Sequence, residues 1–249
     1  MRTQMTSDLD LPENISGQNH DLSLIEKYDG FQDLALLEAA LNDAAFGAIG
    51  AVSSFGADSA LLLSMLAEVN ASIPVIFLDT GKHFPETTDY VQNVSESLGL
   101  ENVHYRRPDL AEVNIHDRIG DLLESSVDAC CDLRKVRPLE KALRGFDSWI
   151  TGRKRFHGAD RSGLKSVEFT EGRFKINPLA HWSAERIKTE FKARNLPQHP
   201  LVAEGFLSIG CAPCTRAVAP GEDVRAGRWA DNDKTECGIH NSPWVGESI

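Results

Sequence analysis

The sequence predicts an α/β protein: a doubly wound, mostly parallel sheet with a flexible C-terminal tail. Three observations predict it. Short apolar runs alternate with helical stretches from about residue 47 to residue 195, the order that parallel strands with crossover helices require. The first apolar run ends in a loop of small residues, Ser53–Ser59, and a Leu- and Met-rich helix follows at once. Such a junction presents unpaired backbone N–H groups to an anion. The 249 residues, 41% hydrophobic and 25% charged, have an ordinary globular balance and enough core for one large domain.

The elements follow in order. Residues 1–20 read as a loose leader, 21–215 as the α/β domain, and 216–249 as a tail. Residues 21–46 are helical in pattern, anchored by Leu34, Leu36, Leu37 and Leu41. Gly47–Val52 suits a buried strand, and the helix Ala60–Val69 buries Leu62, Met65 and Leu66, with Asp58 as its expected cap. Pro74–Leu78 is a second strand, leading into Asp79-Thr80-Gly81; Pro85 and Glu86 open a helix to about Leu98. Val103–Arg106 is a third strand. A polar, helical stretch then runs from 109 to 144, with Leu133, Val136, Leu139 and Leu143 at helical spacing and Pro138 at a kink or near a start. Ser148–Thr151 is a fourth strand, closed by Gly152-Arg153-Lys154-Arg155. Val167–Phe169 and Phe174–Ile176 read as an edge hairpin, and Ser183 caps a helix to Asn195. Ligands of such sheets sit at the carboxyl ends of the strands, so Ser53–Ser59, Asp79–Gly81 and Gly152–Arg155 should share one edge.

The formal charge is −11, from 26 basic and 37 acidic side chains. This argues against a nucleic-acid-coating protein and against an anionic membrane surface. No apolar run reaches membrane-spanning length, and residues 1–18 hold no apolar signal core, so a cytoplasmic protein is expected. Five cysteines in a chain of this length point to metal or catalysis rather than a disulfide framework.

Four of them form two pairs, Cys130-Cys131 and Cys211-x-x-Cys214. Four thiolates suit zinc or an iron–sulfur cluster. A tandem pair is awkward for a tetrahedral zinc knuckle. It is feasible for a cuboidal cluster, where each sulfur binds its own iron. The fifth, Cys237, stands alone in a polar segment, and Gly238 permits a turn beside it. An accessible thiol of this kind suits a nucleophile that must meet two partners. Arg153 and its basic neighbours can clamp an anion, and Arg225 and Arg228 add a second cationic pair. The Ser54–Ser59 loop is not a Walker A loop, since no Gly-Lys-Ser follows.

That loop does resemble the Ser-Gly-Gly-x-Asp-Ser loop of the adenine-nucleotide α-hydrolase superfamily. Phe55 replaces the first Gly, and its bulk is expected to leave less room for a pyrophosphate leaving group. The wider set of motifs is similar to assimilatory sulfonucleotide reductases of the adenylyl-sulfate (APS) type. It comprises Ser53–Ser59, Leu78-Asp79-Thr80-Gly81 with Phe84 and Glu86-Thr87, and Cys130-Cys131 with Arg134-Lys135. It continues with Thr151-Gly152-Arg153, Cys211–Cys214, Arg225-Ala226-Gly227-Arg228-Trp229 and Glu236-Cys237-Gly238-Ile239-His240. Ala230 and Ile239 are mild departures that touch no sulfur and no cation.

The resemblance implies an oxidoreductase of sulfate assimilation and cysteine biosynthesis. It implies one [4Fe-4S] cluster on Cys130, Cys131, Cys211 and Cys214. Cys237 would attack the sulfur of APS, AMP would leave, and reduced thioredoxin would release sulfite from the resulting S-sulfocysteine. Lys135, Arg225 and Arg228 would be catalytic alongside Cys237. The nucleotide would be bound by Ser54, Phe55, Gly56, Ala57 and Ser59, by Leu78, Thr80 and Gly81, and by Gly152 and Arg153. Lys135 would lie one helical turn from Cys131. No nucleic acid or membrane partner is implied, and a homo-oligomer is compatible. The rivals are a phosphoadenylyl-sulfate (PAPS) or dual-specificity reductase, a cluster-bearing tRNA thiolation enzyme, and a zinc-stabilised nucleotide-binding protein.

Overall fold

The computed structural model describes residues 14–157, 161–230, 234 and 238–240, the side chains of 14–20 and 157 excepted. Six strands form one sheet in the order β3-β2-β1-β4-β6-β5. They are β1 (Ile49–Ser53), β2 (Val75–Leu78), β3 (Val103–Arg106), β4 (Ser148–Thr151), β5 (Val167–Thr170) and β6 (Arg173–Ile176). All neighbours are parallel except β5, an antiparallel edge strand on β6. Every residue of β2 and β4 is buried, as expected of strands covered on both faces. The chain steps from β1 to β2 and β3, then returns to place β4 on the other side of β1. The reversal lies between β1 and β4, so the binding crevice opens at their carboxyl ends.

Helices α1 (Asn14–Lys27), α2 (Asp33–Asn42), α3 (Ser59–Asn70), α4 (Pro85–Leu98) and α9 (Ala184–Ala193) have buried residues in the larger core, around Leu36, Leu61, Met65, Val91 and Ile187. On the other face, α8 (Arg137–Leu143) sends Leu139 and Leu143 against Val52, Ile76, Leu78 and Trp149. The short helices α5 (Leu110–His116), α6 (Leu122–Ser125) and α7 (Val127–Cys131) lead into it. Local chemistry sets the ends. Pro85 opens α4 and left-handed Gly99 closes it. The Ser183 hydroxyl accepts from the Arg186 N–H at the start of α9. Glu171 and Gly172 both have positive φ in the β5–β6 turn, the requirement of a tight hairpin.

Five expectations change. Strand β1 starts at Ile49, because Gly47 has φ +60° and the Asp147 side chain fills the space a Cβ would need. Asp58 makes no capping bond to α3; its carboxylate pairs with Lys154 Nζ at 2.7 Å. Helix α1 begins at Asn14, inside the stretch read as a leader. The segment Asp132–Val136 is a π-helical turn between α7 and α8, with the Arg137 N–H bonded to the Asp132 carbonyl. A π turn is wider than an α turn, so Lys135 does not stand one α-turn above Cys131. The stretch from 216, expected as tail, folds back as far as Ala230: Arg216 N–H donates to Gly227 O at 2.9 Å, and Trp229 N–H to Cys214 O at 3.2 Å.

Candidate active site

The crevice between β1 and β4 is a cleft with two unlike walls. One is built from the loop after β1 and the end of β4. Ser53 Oγ accepts from the Phe55 N–H and Ser59 Oγ from the Gly56 N–H at 2.8 Å, which pins the loop at both ends. Phe55 takes φ +47°, a conformation that favours glycine. Its ring is fully buried and packs edge-on against Phe77 at 5.6 Å. The expectation that Phe55 crowds the phosphate site is therefore corrected: the left-handed turn throws the side chain into the core, out of the cleft. Ser54, Gly56, Ala57 and Ser59 do line it.

Across β4, Gly152 and Arg153 line the same wall. Arg153 is held by three neighbours. Its Nη2 donates to the Glu168 carboxylate and, at 3.3 Å, to Asn177 Oδ1; its Nε donates to Thr151 Oγ1 at 3.4 Å. Lys154, with a side chain only 4% exposed, is tied to Asp58.

The second wall carries cysteines, cations and aromatic rings. Cys130 and Cys131 at the end of α7 are buried, as is Cys211; Cys214 is half-buried, and all four are free thiols. Burial pushes the Cys130 thiol up; Arg134 and Lys82 pull it back, while Cys211 adds to the rise. Burial also pushes Cys214 up, with Cys211 and Cys130 adding to it against Lys135 and Arg228. Cys130, Cys211 and Cys214 thus feel one another electrostatically. Among the described residues, no three His, Cys, Asp or Glu side chains stand as a group that could hold a metal ion. A tetrahedral zinc site needs each sulfur about 2.3 Å from the ion.

Thr80 and Gly81 belong to this wall rather than to the nucleotide cleft. Thr80 Oγ1 lies 3.3 Å from Cys211 Sγ, and the Thr80 carbonyl accepts from Arg134 at 2.7 Å. Gly81 has φ +70° and faces the Arg134 guanidinium. Arg134 itself is clamped by fully buried Asp117, Nη2 to Oδ2 at 2.6 Å. Leu78 and Lys135 line the cleft.

Arg228 and Arg225 lie over the Trp229 ring, 4.4 and 5.7 Å from its centre. A side chain at Gly210 would collide with the Arg228 guanidinium, and one at Gly227 with the Arg216 carbonyl. These two glycines let Arg228 reach the cleft. Its Nε is buried without a hydrogen-bond partner among the described residues.

The C-terminal segment closes the cleft. Lys234 pairs with Asp128. Gly238 sits against Val136, Ile239 packs on the core of α8, and the His240 ring stacks on Trp149 at 5.8 Å with a 5° tilt. Burial holds His240 well below the ordinary imidazole range, and Arg153, Arg161, Lys175 and Arg225 reinforce the effect. Its lowered pKa favours the neutral ring, and among the described residues Nδ1 has no hydrogen-bond partner. Cys237, the expected nucleophile, lies outside the described residues.

The cleft thus gathers Lys135, Arg153, Arg225, Arg228 and the loop residues, with the cysteine pairs beside it. Several lining residues were not singled out from sequence as binding groups, among them His83, Trp149, Arg161 and Trp229. His83 Nε2 lies 2.9 Å from the Leu78 carbonyl, and burial lowers its pKa. Of these four, only Trp229 carried a signal, as the end of the Arg-Ala-Gly-Arg-Trp motif.

Residues 48–217 match the model of the phosphoadenosine phosphosulfate reductase domain. The chain is 48% identical over 215 residues to the adenosine 5'-phosphosulfate reductase of Mesorhizobium japonicum, covering 86% of this chain and 85% of that one. It is 44% identical to the protein of the same name from Chelativorans sp., covering 92% and 94%. Among solved structures it is similar to the phosphoadenylyl-sulfate reductase of Candida auris in its phosphate complex, with a TM-score of 0.64 and 25% identity over 85% of this chain and all of that one.

Proposed function

The chain belongs to the phosphoadenosine phosphosulfate reductase domain family, and on that premise we propose that it reduces APS to sulfite and AMP in sulfate assimilation. One observation carries the reading: the segment Gly238–His240 is docked into a cleft lined by Lys135, Arg153, Arg225 and Arg228. This segment adjoins Cys237 in the chain.

The proposed step is a displacement at sulfur. The Cys237 thiolate forms an S–S bond to the sulfuryl group, the S–O bond to the phosphate breaks, and AMP leaves with the electron pair. A second thiol, from reduced thioredoxin, attacks the Cys237 sulfur. Sulfite leaves with the S–S pair as a Cys237–thioredoxin disulfide forms; the second thioredoxin thiol then displaces the Cys237 thiolate, and thioredoxin ends as a disulfide. An anionic nucleophile meets an anionic group in this step, so fixed cations must screen the approach and hold the charge that grows on the phosphate. Lys135, Arg225 and Arg228 do this in the proposal. Arg228, whose Nε lacks a partner among the described residues and whose guanidinium faces a ring, is the best placed to act on such a ligand. Neutral His240 packs on Trp149 and holds the segment in place.

Cys130, Cys131, Cys211 and Cys214 fit a [4Fe-4S] cluster by their chemistry: four free thiols from two segments, three of them in mutual electrostatic contact. When bound, the cluster would supply a fixed charge that organises the surrounding cations. Its proposed ligands lie on the wall that carries Lys135.

Anaerobic incubation with labelled APS, followed by mass spectrometry of the Cys237 peptide, tests the proposal. A sulfonate adduct on Cys237 and its disappearance on adding reduced thioredoxin are expected. A Cys237→Ser protein should lose at least about a thousandfold in sulfite release. Normal turnover by that variant would remove the mechanism.

A further inference from the structure

We infer that Glu168 sets the substrate preference of the cleft: by holding Arg153 it keeps the β4 wall from welcoming a further phosphate on the nucleotide. The inference rests on the reading of the chain as an APS-reducing enzyme.

The contact joins the residue after β4, Arg153, to the edge hairpin. Glu168 lies on β5, its carboxylate accepting from Arg153 Nη2 and, at 3.0 Å, from Asn177 Nδ2. Asn177 is fully buried. Its Nδ2 also donates to the Lys165 carbonyl at 2.9 Å, while its Oδ1 accepts from Thr151 Oγ1 at 2.6 Å and from Arg153. Both hydrogens of the amide and its oxygen are committed, so its orientation is fixed. Arg153 lines the cleft, whereas Glu168 and Asn177 stand behind it. Glu168 is therefore a positioning residue: it acts on the nucleotide through Arg153.

The charge balance gives that position its consequence. The sulfuryl end of the substrate belongs where the tail meets Arg228. The rest of the cleft, between the Ser54–Ser59 loop and the end of β4, then receives the nucleoside. Two cations on that side, Arg153 and Lys154, are tied to carboxylates, Glu168 and Asp58; Arg161 lines the cleft as well. Lys175 faces Glu168 across the hairpin and lies over the Trp149 ring. Removing the Glu168 charge would leave Arg153 and Lys175 together with one less anion. That is a wall able to hold an added phosphate dianion such as the 3′-phosphate of PAPS.

Glu168→Gln tests this, because the amide oxygen can still accept from Arg153 and Asn177. Titration calorimetry would compare AMP with adenosine 3′,5′-bisphosphate on the intact protein, wild type and variant. APS and PAPS kinetics would run alongside. The affinity ratio should move toward the bisphosphate by about tenfold, with kcat/KM for PAPS rising relative to APS in step. Glu168→Asp, which keeps the charge, should retain the wild-type ratio. Equal losses for both nucleotides, or an unmoved ratio in a wild-type background that turns over APS, would overturn the inference alone. Wild-type protein that binds neither nucleotide would overturn the underlying reading as well.

Discussion

The two walls of the cleft hold their cations in opposite ways. At the ends of β1 and β4, Lys154 and Arg153 are locked to Asp58 and Glu168, with side chains 4% and 11% exposed. Across the cleft, Arg225 and Arg228 lie on the face of Trp229, and no carboxylate among the described residues pairs with Arg228. A carboxylate fixes a cation and cancels its field; a ring fixes it and leaves the charge standing. The first wall is suited to shape and orientation, the second to an anion. The same residue type does structural work on one side and electrostatic work on the other.

The sharpest break between them is a pair of single substitutions. Arg228→Ala should lower kcat/KM for APS by about a hundred- to a thousandfold and barely change the melting temperature, since among the described residues it removes no ion pair. Asp58→Asn should do the reverse in kind. It leaves Lys154 buried and unmatched, at a cost of about 2 kcal/mol of stability in urea denaturation, below the fully buried range because Asp58 is partly exposed. If Arg228→Ala instead melts the protein and Asp58→Asn does not, the contrast between the walls is wrong. Gly210→Ala is a gentler probe. The added methyl would push the Arg228 guanidinium aside, and a flexible side chain can yield, so about a tenfold fall in kcat/KM is expected with little loss of stability.

Residues of both walls could be read from the chain, but not the carboxylates that tie the cations of the first. Strand β4 matches its predicted run residue for residue, because a strand covered on both faces writes itself as a continuous run; β3 keeps its predicted bounds although its residues are half-buried or exposed. The two cysteine pairs and the Arg-Ala-Gly-Arg-Trp motif are local, and local patterns are visible. The tied wall is not local: Asp58 and Lys154 are 96 positions apart, and Arg153 reaches Glu168 across a hairpin. No spacing announces such partners. Phe55 misled for a different reason, since one positive φ reverses the side-chain direction that strand alternation implies. The π turn at 132–136 was hidden because a single inserted residue barely disturbs a helical apolar pattern. The docking of Gly238–His240 was hidden by composition: a polar segment reads as solvated until its imidazole is found stacked on Trp149.

His240 stands between the walls, and its titration gives the smallest effect. Arg153 from one wall and Arg225 from the other face it, together with Arg161 and Lys175. Burial comes first in lowering its pKa, and these four cations add to it. In an undocked segment the imidazole would titrate near 6.5. The docked state therefore binds fewer protons than the undocked one. Docking is fully favoured above pH 6.5 and weakens as pH falls below it. Limited proteolysis of the C-terminal segment should accelerate a few-fold between pH 7 and pH 5.5. His240→Asn, which cannot take up a proton, should flatten that dependence. A pH profile that survives the substitution would assign the closing of the cleft to another group, and the two walls would then act without this ring between them.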